Sequence, residues 1–377
     1  MTTGTVETDE VTESPGGVPR FGAWTPVVVT VGLWMIAVVS WWLLADPSWS
    51  LGKPSSPLVD ALLFWTILGF LATGFTFGSH GFSRLRQPVA GVAQVVVNLA
   101  VGVGGVWLFT RVLGSWDPTF SSSAPGGSGY LATAFVVLIA FYGFALVAAA
   151  WGGFPFESFP QPLGGVGQLY QSIVITVVGV VWLIYPNFSS ALAKNAPVAL
   201  PTVIGWVYSC IVVVIMAAMI WENWPWSMIQ QRSVRAAAAL VVSMAGGYGV
   251  YWLFRVVLRV LVPADIRGLP TFSESIEAAQ LGVCFSLWAI TWGLVFGARP
   301  TQYSATVNRL ARTAIVIVLS VATYEVFMRG MATKVLHMPA MQGSYGGDPL
   351  TWINWLILIV LWYAVAFGSF LSHKPSD

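Results

Sequence analysis

Charge is what this 377-residue sequence has least of: Asp, Glu, Lys and Arg together make up 8% of it, against about 25% in an average soluble domain. That scarcity excludes a chain whose whole surface is solvated. Histidine and cysteine are rarer still. Three His are too few for a multinuclear histidine metal site, and Cys210 and Cys284 fall in apolar runs with no neighbouring cysteine, so both read as small packing residues. Walker loops, zinc-ligand spacings and nucleophile elbows are missing. A formal net charge of +2 implies no nucleic-acid partner. No metal or cofactor is expected.

What is present is hydrocarbon. The sequence is 56% hydrophobic with a mean hydropathy of +0.76, and its apolar runs approach the roughly 20 residues a helix needs to cross the bilayer core. Helices satisfy every backbone donor within their own segment, which lipid demands. The spans are drawn at Trp24–Ala45, Ala61–Ser79, Pro88–Thr110, Tyr130–Trp151, Pro162–Pro186, Pro201–Trp221, Ala236–Phe254, Ala278–Ala298, Thr313–Met331 and Leu350–Ser372. This predicts an all-α integral membrane protein of about ten transmembrane helices. Residues 1–23 read as a cytoplasmic tail, disordered over its acidic first 18 residues. Residues 24–372 form the membrane domain, and 373–377 a short C-terminal tail.

Loops after even-numbered spans are short and place Arg at helix junctions: Arg84, Arg86, Arg232, Arg235, Arg299, Arg309 and Arg312. The remaining loops are longer and rich in Ser, Gly and Pro. Basic residues are nearly balanced between the two faces, and the junction arginines tip the reading towards both termini in the cytoplasm, in a cell membrane.

Self-comparison shows a repeat. The even spans end in Phe77-Gly-Ser, Trp151-Gly-Gly, Trp221-Glu-Asn, Phe296-Gly-Ala and Phe367-Gly-Ser, 70–75 residues apart. The octet Gln87-Pro88-Val-Ala-Gly-Val-Ala-Gln94 matches Gln161-Pro162-Leu-Gly-Gly-Val-Gly-Gln168. Odd spans share an exit: Trp107-Leu-Phe-Thr-Arg111, Trp252-Leu-Phe-Arg255 and Glu325-Val-Phe-Met-Arg329. The unit is a two-helix hairpin, repeated with one orientation, and the tenth helix could complete a fifth unit with the first.

Polar groups inside spans are the candidate functional residues, since their desolvation needs a partner or water. Glu325 stands where the sister repeats carry Trp, four residues before Arg329, close enough to pair with it. Gln94 and Asn98 share one helix face, and Gln168 and Gln171 another; such amides either glue helices together or line a path for a polar solute. Glu222, set among tryptophans at a turn, suggests a gate or an interface cap, and Trp252 belongs to a population of 20 Trp concentrated at the interfaces. His337-Met338-Pro339-Ala340-Met341 holds soft ligands in too small a number to make a copper site.

A bundle with few soluble residues and scattered amides points to a transporter or channel for a small neutral or weakly polar solute, possibly aromatic. The alternative is a non-catalytic membrane subunit or scaffold anchoring a partner complex. A membrane enzyme acting on a lipid or quinone comes last, because His, Asp and Lys are scarce. The partners expected are the lipid bilayer, the small-molecule solute, and either a second copy or a partner membrane subunit.

Overall fold

The computed structural model describes residues 22–338 and 343–369. The tails expected at 1–18 and 373–377, the last residues of the tenth span, and Pro339–Met341 of the His-Met loop lie outside the described residues. Among those described, nine helices are long and apolar enough to cross a membrane, and a tenth of 21 residues has Glu274, Glu277 and Gln280 in its first two turns. The protein is an all-α integral membrane protein.

The ten long helices are α1 Thr25–Leu44, α2 Ser56–Phe70, α3 Val89–Trp107, α4 Ser128–Ala145, α5 Leu163–Gly179, α6 Leu200–Met219, α7 Arg232–Leu261, α8 Glu274–Leu294, α9 Ala305–Val326 and α10 Pro349–Leu361. Several begin with Pro in the first turn, where its missing N–H is not needed: Pro26, Pro57, Pro201 and Pro349. Two of the helices that outrun the drawn spans do so with arginines. α7 starts at Arg232 and carries Arg255 and Arg259 near its end, because a long cationic side chain can continue a helix beyond the hydrocarbon while its charge reaches water. α9 likewise starts before Arg309 and Arg312.

α2, α4, α6, α8 and α10 form a closed inner ring, each packed on the next, with α10 returning to α2. The odd helices lie outside: α3 on α2, α5 on α4, α7 on α6, α9 on α8, and α1 on α10. Burial follows this order. At least half of the central residues of α2, α4, α6 and α10 are buried, against 17–28% in the odd helices, whose exposed valines, leucines and tryptophans suit lipid as solvent.

Each inner helix ends in the same way. In all five an aromatic N–H donates five residues back, as in Phe77→Ala72, Trp151→Leu146, Trp221→Met216, Phe296→Thr291 and Phe367→Trp362; in α2, α4 and α10 this follows a last turn already widened to i→i−5 bonding. Two left-handed residues follow: Gly78-Ser79, Gly152-Gly153, Glu222-Asn223, Gly297-Ala298 and Gly368-Ser369. The second of each pair donates six residues back, to Thr73, Val147, Ala217, Trp292 and Tyr363, a C-cap that satisfies carbonyls the helix would leave orphaned.

The Gln-Pro octets join one hairpin to its neighbour. Gln87 at the start of α3 donates to Ala366 O at 2.8 Å, and Gln161 at the start of α5 donates to Thr76 O at 3.3 Å. A Cβ on Gly91 would meet the Phe367 ring at 2.4 Å, and one on Gly165 the Phe77 ring at 2.4 Å. Both glycines permit the same close approach to the aromatic of the preceding cap.

Candidate functional site: an apolar groove and the polar clusters beside it

The end at which α1 begins is called the lower face here, and the end at which it finishes the upper face. On the outside of the closed ring, a cleft separates the α1–α10 pair from the α2–α3 pair. There a groove of about 760 Å³ is lined by Leu33 and Ile36 of α1, Leu62 and Thr66 of α2, Val103 of α3, and Leu358 of α10. It follows α10 from Trp355 to Phe367, about 18 Å at 1.5 Å per residue, and continues upward past Val59 to Ala45 and Pro54. Its polar groups are few. Ser40 accepts the Trp355 indole N–H at 2.9 Å, while the Trp362 indole nitrogen is buried with no partner.

Beside the upper mouth, three inner helices carry carboxyls that the drawn spans left just outside. Asp60, five residues into α2, is 8% exposed; its Oδ1 lies 2.5 Å from the Thr351 hydroxyl of α10. The same hydroxyl is 2.8 Å from Asp348 Oδ2, and Asp348 Oδ1 caps α10 by accepting the Leu350 N–H at 2.9 Å. Burial pushes the Asp348 carboxyl above its usual range, against the opposing bonds from Thr351 and Leu350. Glu277, in the first turn of α8 and fully buried, accepts the Tyr324 hydroxyl of α9 and the Tyr345 backbone N–H. With its amide nitrogen facing Glu277, Gln280 donates to Oε2 at 2.9 Å. Among the described residues neither Asp60 nor Glu277 has a cation within salt-bridge distance. A buried carboxyl without a cation is expensive, and these two are held by hydroxyl and amide donors instead.

A third group ties the loop after α9 to the end of α1. Asp46, fully buried, accepts from Ser48 N at 2.7 Å and Trp49 N at 2.9 Å, and lies 2.8 Å from His337 Nδ1. The Trp49 ring packs on the imidazole, centroids 4.8 Å apart. Burial would raise the Asp46 carboxyl, but the His337 contact and the two N–H bonds outweigh it and hold the group below the usual carboxylate range.

The residues singled out from the sequence are dispersed. Glu325 and Arg329 pair at 2.5 Å on outer helix α9, their side chains 19% and 69% exposed. Gln94 and Asn98 are buried and bond Thr73 at 3.2 and 2.9 Å, binding α3 to the end of α2. Gln171 donates to Phe154 O at 3.1 Å, and Gln168 packs against Gly153, both at the turn after α4. Glu222 is paired with Arg312 at 2.9 Å and Arg309 at 3.4 Å. Trp252 lies under the Arg255 guanidinium, 4.4 Å from its ring centroid. The structure brings none of these groups to another. Asp60, Glu277 and Asp348 were missed; the available signal was an acidic residue at the start of α2 and α8 and at the cap of α10. No group of three or more potential metal ligands occurs among the described residues.

A protein from Pseudomonas putida named apolipoprotein N-acyltransferase is 32% identical to this chain over 146 residues, covering 35% of this chain. The chain spans 27% of that protein's length. No family pattern matches the chain, and no solved structure does.

The similarity corrects the transport reading. A relative named for acyl transfer runs against a carrier or channel for a small polar solute. The geometry gives the physical reason. Gln94, Asn98 and Gln171, read as either helix glue or the lining of a solute path, spend hydrogen bonds on neighbouring helices and turns, and the groove walls are hydrocarbon.

Proposed function

We propose that the protein is a membrane enzyme acting on an acylated lipid, with the acyl chain lying in the groove between α1, α10, α2 and α3. The carrying observation is the groove itself: about 760 Å³, apolar, and open on the lipid side. Its lining reaches from Ala45 and Pro54 near the upper face to Pro88 and Phe367 near the lower face, which suits a chain held parallel to its neighbours in the bilayer. The head group would then lie at one mouth, and the upper mouth is the one flanked by the Asp60–Thr351–Asp348 group. The relative's name supports a lipid-linked acyl group as the chemical class.

One observation favours a second reading, a non-catalytic subunit that holds lipid for a partner enzyme. Among the described residues no His, Cys, Lys, Asp or Glu lines the groove, which favours acid–base groups placed beside it or on another chain.

The five matched C-caps and the paired Gln87 and Gln161 contacts support a chain made of five copies of one hairpin, the fifth formed by α10 and α1. Arg-bearing short loops support both termini in the cytoplasm.

The test is lipid retention and turnover. Leu62→Trp and Leu358→Trp fill the groove, and Val177→Trp on the exposed side of α5 is the control. The groove variants should lose at least tenfold in tightly bound phospholipid by mass spectrometry, equivalent to about 1.4 kcal/mol, and the control should match the parent. Equal retention by all three sinks the lipid site. Acyl loss from bound phospholipid by the purified chain selects the enzyme; binding without turnover selects the subunit.

A further inference from the structure

A second cavity lies on the axis of the inner ring, separated from the groove by α2 and α10. Its volume is about 190 Å³, larger than an engineered apolar cavity of about 150 Å³ that stays dry and binds benzene. It extends along α6 from Tyr208 to Met219, about 16 Å of helix, in the lower half of the bundle. Ala145, Ala148 and Ala149 of α4 and Ala218 of α6 line it. Side chains of ordinary core size at these positions would close it, as cores are normally closed.

The upper end of the cavity is polar. Asn354 Nδ2 donates to the Tyr208 hydroxyl at 2.9 Å and to Leu350 O at 2.6 Å. Ser286 of α8 also lines the cavity, is 3% exposed, and its hydroxyl has no partner. Hydroxyls inside helices commonly bond the carbonyl four residues back, as Ser209 and Ser320 do here. Ser286 leaves its capacity unused beside empty space, where an unpaired buried hydroxyl is costly.

We propose that this cavity binds a slender apolar molecule with one terminal hydrogen-bonding group, of the class of a medium-chain alcohol, its polar end at Ser286 and its tail directed to the lower face. The reasoning needs no lipid in the outer groove. An apolar tail matches the alanine and isoleucine walls, and a single hydroxyl can either donate to or accept from Ser286. A water there could reach Ser286, Asn354 and Tyr208, but the hydrocarbon part of the cavity offers it no partners.

The probe is octanol carrying a diazirine, photolysed with the full chain in phospholipid nanodiscs, with adducts mapped by mass spectrometry. Adducts should fall on α4, α6 and α10 residues of the cavity, and plain octanol should compete better than octane. Ser286→Ala should lower cavity labelling several-fold and erase octanol's advantage. Ala148→Trp should abolish cavity adducts while those on lipid-facing α5 persist. Ala148→Leu, a smaller change that tests filling if the Trp variant misfolds, should reduce them. Adducts confined to lipid-facing surfaces, or cavity labelling unchanged in Ser286→Ala or Ala148→Leu, would overturn the proposal.

Discussion

Thr351→Val removes one hydroxyl and little volume, so its effect on the protein is the loss of two specific contacts. That hydroxyl lies 2.5 Å from Asp60 Oδ1 and 2.8 Å from Asp348 Oδ2. A single O–H can donate to only one of them, so the second contact needs a carboxyl that carries its own proton; three groups share two protons in sequence from α2 to α10. Asp60 sits 8% exposed and loses a bond to a charged or acidic group, about 1.5–3 kcal/mol. Asp348 keeps the Leu350 N–H, so its loss is nearer 1 kcal/mol. The expected destabilisation is about 2.5–4 kcal/mol, read as a melting temperature several degrees lower in nanodiscs, and Thr351→Ser should restore it. A paired change separates this account from general disturbance of α10. In Asp60→Leu/Thr351→Val both partners become apolar, which can be nearly neutral, so the double variant should be more stable than Thr351→Val alone. Strictly additive losses, or a Thr351→Val protein that melts with the parent, would refute the bridge.

Two further outcomes are expected. Asp46 has its folded-state pKa depressed, so its stabilising contribution is full above the ordinary carboxylate value of about 3.9 and is lost as pH falls through the folded value. Hydrogen exchange over residues 43–51 should therefore accelerate below about pH 4, and unchanged protection down to about pH 2 would refute it. For orientation, Ser122→Cys should react with an impermeant thiol reagent in intact cells and Ser233→Cys should not; the reverse pattern would invert the protein.

The spans were legible because hydrocarbon leaves a chain so few options: about 20 apolar residues per crossing, and internal bonding throughout. Candidate chemistry was harder to read for the same reason. Drawing each span where charge stops puts Asp60 and Glu277 outside it, whereas α2 and α8 begin at Ser56 and Glu274 and take both carboxyls into the bundle. Nothing along one helix says which neighbour supplies Thr351 or Tyr324. Glu325 had the opposite fate: mid-helix by position, it turned out to sit on an outer helix beside an exposed Arg329. The groove is a property of lateral order, and the sequence states that order only indirectly, through Gln87 and Gln161 reaching the preceding caps.

The ring joins its ends in a particular place. Four of the five helix pairs are stapled by a short loop at the lower face, but α10 and α1 are far apart in the sequence and meet through side chains, as where Trp355 donates to Ser40. These two helices form one wall of the groove. Among the described residues this wall is therefore held by noncovalent contacts alone, whereas every other wall of the bundle also has a loop to fasten it.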